Sequence, residues 1–325
     1  MYNNVKLDKS LYSITGKSFT EALRQLDPDE NYAGTELAGL DAFERQLKRF
    51  NIKVSGADSD RVEKFFASSE SAVLFPEYVR RMIKQGMNDA SILPEIVAAV
   101  SYTDSIDFRG LTVTVNGTDA GVGQGGTLPV TDVELASEAT ELTKFARKLS
   151  CTYESIRKQR LEAFGVILRS LGAQISKAVN KLAVDTLTDD ITPSTISGDS
   201  ITYADLAAFW ASMGDKDMTT MVCSPAMMAQ ILALDEMKYC VSDYMSSGKV
   251  RTPYGVTIVK CSAVTDGDVV GIDKSCAAEM AYGTDVVVDF DKLISTQCDE
   301  IACSVTVGFS ALTAGAVKVL TSGTT

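Results

Sequence analysis

Hydrophobic positions recur every three or four residues from Tyr153 to Leu187, marked by Ile156, Leu161, Phe164, Leu168, Leu171, Ile175, Val179 and Leu182, with no proline in the run. This spacing predicts one amphipathic helix of roughly 50 Å, several times the ordinary helical length of a globular domain. From Ser101 the period changes to two. Phe108-Arg-Gly-Leu-Thr-Val-Thr-Val reads as a strand, Asn116-Gly117 as a hairpin turn, and the chain returns in extended form from Val130 to about Leu149. The tip between, Ala120-Gly-Val-Gly-Gln-Gly-Gly-Thr, holds nothing that fills a core. A long two-stranded ribbon is marginal alone and needs a neighbour to lie on. A long spine beside such a flap suits a chain that builds contacts with copies of itself.

Elsewhere the pattern is shorter-ranged. Residues 1–36 mix polar and apolar positions without a sustained period and read as an arm. Leu37, Leu40, Phe43, Leu47 and Phe50 predict a short helix, residues 51–60 a break, and Pro76 the start of a second helix to about Met87. Pro94 to Val100 reads as the entry into a strand. Beyond the spine, Thr202 with Asp205 predicts a capped helix through Met213, Met218 to Cys223 a strand, and Ser224-Pro225 a helix ending near Leu234. Asp243 to Pro253 reads as a polar loop. Strands are expected at 256–260, 269–272, 277–282 and 286–290, with two more, near 303–309 and 316–320, returning to a central sheet.

Charge sharpens the picture. The 325 residues carry 31 basic and 43 acidic side chains, a net −12 that disfavours general nucleic-acid binding by a monomer. Residues 141–181 hold 9 basic and only 3 acidic side chains. Lys144, Arg147, Lys148, Arg157, Lys158 and Arg160 therefore form a solvated face, a counterpart for acidic neighbours, or a surface towards packaged polyanion. Spacing alone does not choose among these.

Catalytic chemistry finds little foothold. The chain has no histidine, no phosphate-binding P-loop and no GxSxG elbow. The cluster Gly121-Val-Gly-Gln-Gly-Gly does not open a helix after a buried strand, so a flap tip is the better reading than a nucleotide site. Asp266-Gly-Asp268 lacks the further ligands of a calcium loop. Seven widely spaced cysteines without histidine argue for free buried thiols in a reducing cytoplasm rather than zinc. Met213, Met218, Met221, Met227 and Met228 pack a small core on this reading. No catalytic residue, cofactor or metal site is expected, and the start Met1-Tyr-Asn-Asn predicts neither a signal peptide nor a spanning segment.

The order of elements resembles the major capsid protein of tailed bacteriophages and prophages. The arm and first helix are similar in Phe50-Asn-Ile-Lys-Val-Ser-Gly-Ala-Asp-Ser-Asp-Arg-Val-Glu-Lys-Phe-Phe and Ser71-Ala-Val-Leu-Phe-Pro-Glu-Tyr-Val-Arg-Arg. Further on, Val222-Cys-Ser-Pro-Ala-Met-Met resembles the family's strand-then-helix step. Thr252-Pro-Tyr-Gly-Val-Thr-Ile-Val-Lys-Cys-Ser with Gly267-Asp-Val-Val-Gly-Ile-Asp resembles its axial strand pair.

The resemblance implies an α+β, Hong Kong 97-like capsid fold. Its expected parts are an N-terminal arm at 1–69, an extended loop at 104–149, and an axial domain at 199–291. A peripheral domain with the spine would use 70–103, 150–198 and 292–325. It implies self-assembly into pentamers and hexamers of an icosahedral virion shell, built in the host bacterial cytoplasm around double-stranded DNA held non-specifically. A separate scaffolding protein, a portal and a decoration protein are the implied partners; no membrane is. The intersubunit contact candidates are Asn116, Gly117, Gly123 and Gly125 on the flap, Lys144, Arg147, Arg157 and Lys158 at the spine, and Tyr244, Lys249 and Arg251 near the capsomer centre. Some relatives weld subunits through a flap lysine, but residues 110–143 contain neither lysine nor arginine, so a noncovalent shell is expected. Two rivals remain: an encapsulin-like compartment enclosing a cargo enzyme, and a cytoplasmic enzyme with an α/β domain.

Overall fold

Side-chain caps together with short apolar stripes give the first fifty residues their order. In the computed structural model, which describes residues 2–322 except Thr15, Ile106, 117–120 and Asp199, α1 spans Phe19–Leu26 and α2 spans Ala42–Arg49. Each opens with a capping box, Ser18 with Glu21 and Asp41 with Glu44, where side chain and backbone satisfy each other reciprocally. Arg45 of α2 is wholly buried. Its guanidinium donates to both Asp27 Oδ2 and the Asp27 carbonyl at 2.7 Å and to Asp29 Oδ1 at 3.0 Å, and lies 4.3 Å from the Tyr32 ring centroid. The mixed pattern of residues 1–36 is thus a folded layer with its own buried ion pair. It continues through α3 (Ser69–Ala72) into α4 (Phe75–Ala90), which carries Pro76 in its first turn, as expected. Tyr12 and Thr20 reach across to α4: the Glu77 amide donates to the Tyr12 hydroxyl, and the Thr20 hydroxyl donates to Glu77 Oε1.

A short helix α5 (Leu93–Ile96) precedes β1 (Ala99–Tyr102), so the expected strand entry at 94–100 begins as a helical turn. The flap comprises β2 (Asp107–Phe108), β3 (Leu111–Asn116), β4 (Val130–Leu135) and β5 (Thr140–Glu141), with β2 paired to β5 and β3 to β4. The return strand β6 (Thr143–Thr152) then leads into the spine.

The spine is two helices, not one. α6 (Tyr153–Arg157) stops before α7 (Leu161–Thr188). Between them the backbone pairs elsewhere: the Val62 amide donates to the Gln159 carbonyl and the Leu161 amide to the Asp60 carbonyl. A backbone group used that way is lost to the helical ladder, and periodicity does not record the competition. The 28 residues of α7 give about 42 Å rather than 50. Leu161, Phe164, Leu168, Leu171, Ile175 and Val179 are buried along it, as the pattern requires. Two glycines let its first half touch α4: a Cβ at Gly172 would sit 2.1 Å from the Ile83 carbonyl oxygen, and one at Gly86 2.0 Å from that of Arg169.

After β7 (Ser194–Thr195), α8 (Tyr203–Ala211) starts with the expected Thr202–Asp205 capping box. β8 (Thr220–Cys223) and α9 (Pro225–Ala233), capped by Ser224, follow. The expected polar loop at 243–253 instead contains α10 (Val241–Ser247), ended by Gly248 at φ +67°, and β9 (Val250–Arg251). β10 (Thr257–Lys260) and β11 (Asp268–Ile272) complete the centre. The two strands expected at 277–290 are one, β12 (Ala278–Leu293), facing β13 (Cys298–Ala311); β14 (Val317–Thr321) closes the chain.

A six-stranded sheet has the order β7-β14-β11-β8-β10-β9, and a four-stranded one β1-β12-β13-β6. In the first, β8 and β10 are parallel and joined through α9, while β11 is antiparallel to both β8 and β14. The methionine cluster fills the core of this sheet, as expected. The chain forms two compact units, one from 1–89, 146–175 and 286–304, the other from 90–145, 176–285 and 305–325.

Candidate assembly surfaces

The ribbon β3–β4 pairs Leu111 with Leu135 and Val113 with Val133, continuing to Asn116 with Val130. Because side chains alternate across a strand, this register puts Leu111, Val113, Val133 and Leu135 on one face and Asp132 and Glu134 on the other. The apolar face is open: Leu111 is 46% exposed, Val133 57% and Leu135 64%. At its root the ribbon is seated firmly. Leu142 sits over Gly283 and Gly308, where Cβ atoms would lie 2.9 and 2.7 Å from its methyl groups, and Gly110 abuts Ser310.

β3 ends at Asn116 and β4 begins opposite it at Val130, where the extended return was expected. Gly117 lies outside the described residues. Gly123 and Gly125 belong to the exposed connection, where the Gly126 amide donates to the Gly123 carbonyl at 2.9 Å and Gly125 has φ +82°.

The basic residues do not gather on a single face. Lys144 and Lys148 alternate with Arg147 along β6 and so point to opposite sides. Lys148 pairs with Glu300 at 2.8 Å, and Arg160 donates to the Ala57 carbonyl. Lys158 is exposed at the break in the spine. Arg157 lies 5.8 Å from the Tyr153 ring and borders a cleft of about 740 Å³. Phe66, Phe75, Ile156 and Phe290 supply the apolar lining of that cleft, and Glu63, Asp299 and Lys292 supply charge.

Tyr244 is exposed on α10, Arg251 is exposed on the edge strand β9, and Lys249 pairs with Glu95. Two exposed aromatic groups went unsignalled by spacing. Tyr102 stacks on Tyr282 across β1 and β12, and Trp210 on α8 lies 5.5 Å from the ring of Tyr254. None of the seven cysteines is joined in a disulfide. Burial pushes the Cys223 thiol up to about 12 and the Cys303 thiol to about 11, so both stay protonated and unreactive at neutral pH. Among the described residues, no helix is long and apolar enough to cross a membrane, and no group of acidic and cysteine side chains could hold a metal ion.

Residues 134–296 match a family model described as phage capsid protein. No curated protein matches the sequence. Among solved structures, a virus-like particle from Pyrococcus furiosus aligns with TM-score 0.55 and 13% identity, over 76% of this chain and 99% of that one. The capsid of a native GTA particle gives 0.52 and 10%, over 70% and 89%. Microbacterium phage Oxtober96 gives 0.51 and 12%, over 71% and 91%. At such identities these likenesses speak for the fold.

Proposed function

Because this chain belongs to the phage capsid protein family, we propose that its copies close into an icosahedral shell of pentamers and hexamers around double-stranded DNA. Its fold is the mixed helix and sheet of Hong Kong 97-like capsid proteins, and it is a shell-forming major capsid protein of the virion. Assembly in the host bacterial cytoplasm, with a scaffolding protein, a portal and a decoration protein, belongs to the proposal.

The ribbon is the observation that carries the mode of assembly. A two-stranded sheet with one apolar face and one acidic face gains by laying the apolar face on a second copy. Each fully buried Val or Leu side chain contributes about 1.5–3 kcal/mol relative to exposure. Repeated over every subunit of a closed shell, modest contacts sum to a large total. The flap residues Asn116, Gly117, Gly123 and Gly125 then lie at the overlap. Lys144, Arg147, Arg157 and Lys158 meet acidic neighbours or DNA, and Tyr244, Lys249 and Arg251 face the capsomer centre.

A compartment enclosing an enzyme is the second reading, since a closed shell of the same fold can hold protein as well as DNA. Particle contents separate the two. Electron microscopy should show uniform closed particles, and nuclease-protected double-stranded DNA should be recovered from those of an infected or induced cell. A cargo enzyme in place of DNA would favour the compartment, and the absence of particles would refute both.

A further inference from the structure

We propose that the cleft beside the break in the spine is a docking site for a segment of a second protein, one that carries apolar and acidic side chains together. The inference concerns a single compact unit of this chain and does not depend on the shell reading.

The cleft of about 740 Å³ is walled wholly by residues of the first compact unit. Its floor is an aromatic row. The Phe75 ring lies 5.2 Å from that of Phe66 and 5.8 Å from that of Phe290, and it stacks on Phe164. Phe75 is buried, but its two neighbours in the cleft are not: Phe66 is 51% exposed and Phe290 39%. A concave apolar floor with a half-exposed phenylalanine on each side is completed by the apolar side chains of a partner.

Charge selects the occupant. Lys9 from the N-terminal layer, Arg157 from α6 and Lys292 from β12 stand at the rim. Among the described residues none of the three is paired with a carboxylate, and the Arg157 guanidinium rests over the Tyr153 ring. The neighbouring carboxylates are largely engaged. Glu300 pairs with Lys148 at 2.8 Å, Glu63 lies 3.9 Å from Arg61, and Asp291 accepts from the Lys292 amide at 2.7 Å. Unpaired cations around an apolar floor complement a ligand that is both apolar and acidic. An amphiphile with one anionic head satisfies one of the three cations, whereas a peptide with acidic side chains at intervals meets them all. A nucleic acid, with a phosphate on every residue, brings its charge against Glu63, Asp291, Asp299 and Glu300 as well.

The test uses unassembled subunits of the full chain, isolated by size exclusion, and short labelled peptides followed by fluorescence anisotropy. One peptide is built of leucine, phenylalanine and glutamate; its counterpart has lysine in place of every glutamate. The acidic peptide should bind saturably, and the basic one about tenfold more weakly or worse. Lys9→Glu with Lys292→Glu changes two exposed positions, so circular dichroism should match that of the unaltered chain. That variant should weaken the acidic peptide by about tenfold or more. Phe66→Ser should weaken it similarly, whereas Lys181→Glu, an exposed change that does not line the cleft, should leave it unaffected. Absence of binding, equal binding of the two peptides, or full binding by the folded cleft variants overturns the inference. So does a density map of intact particles in which a second copy of this chain fills the cleft.

Discussion

Arg45 shows how much a single residue holds in the N-terminal layer. Its charge has no access to water, and Asp27 beside it is 2% exposed, so each depends on the other. Removing one partner strands a buried charge, whereas replacing both by apolar groups need not. Arg45→Met should therefore cost about 3–5 kcal/mol in urea unfolding. Adding Asp27→Leu to that variant should recover most of the loss; no recovery would mean that the remaining contacts of the arginine dominate. At the contact of α4 with α7, Gly172→Ala forces a methyl group against the Ile83 backbone. Overpacking of this kind costs about 1–3 kcal/mol or more. Gly121→Ala, which meets open space, should leave the unfolding midpoint unchanged.

At the scale of elements, the apolar and basic sides of the spine should separate by experiment. Leu168→Asp places an unpartnered charge at a fully buried position and should unfold the subunit. Arg157→Glu with Lys158→Glu changes two exposed positions and should spare the circular dichroism spectrum while altering assembly or packaging. Loss of secondary structure in that pair would make the basic residues part of the fold. Deleting 117–127 should leave a soluble subunit with impaired shell closure, and normal particles from the deletion would remove the role proposed for the ribbon. Much of this layer is legible in sequence, because burial periodicity and caps are local. The stripe from Leu161 to Val179, the Thr202–Asp205 cap and the Ser224-Pro225 start all reappear as read. What escapes depends on partners distant in the chain. The break at 158–160 is imposed by residues 60–62, and the order of residues 1–36 by Arg45. Trp210 escapes for another reason: an exposed tryptophan and a buried one look alike in sequence.

At the scale of the whole molecule, the proposed shell is held without covalent links. The ribbon from 110 to 143 offers no amine, Lys148 at its base is paired with Glu300, and the thiols, none of them in a disulfide, face a reducing compartment during assembly on this reading. Mature particles boiled in detergent and reductant should release a single band at 34.8 kDa. A ladder of multimers would overturn this and point first to Lys144. On this proposal, association rests instead on the apolar face of the ribbon, repeated over many copies.

A density map of intact particles by electron cryomicroscopy tests that claim most directly, since it resolves what covers each face. The account predicts that residues 104–149 of one copy lie on a second, with Leu111, Val133 and Leu135 buried beneath. A map in which those three side chains remain in solvent, with shells closed by other surfaces alone, would contradict it.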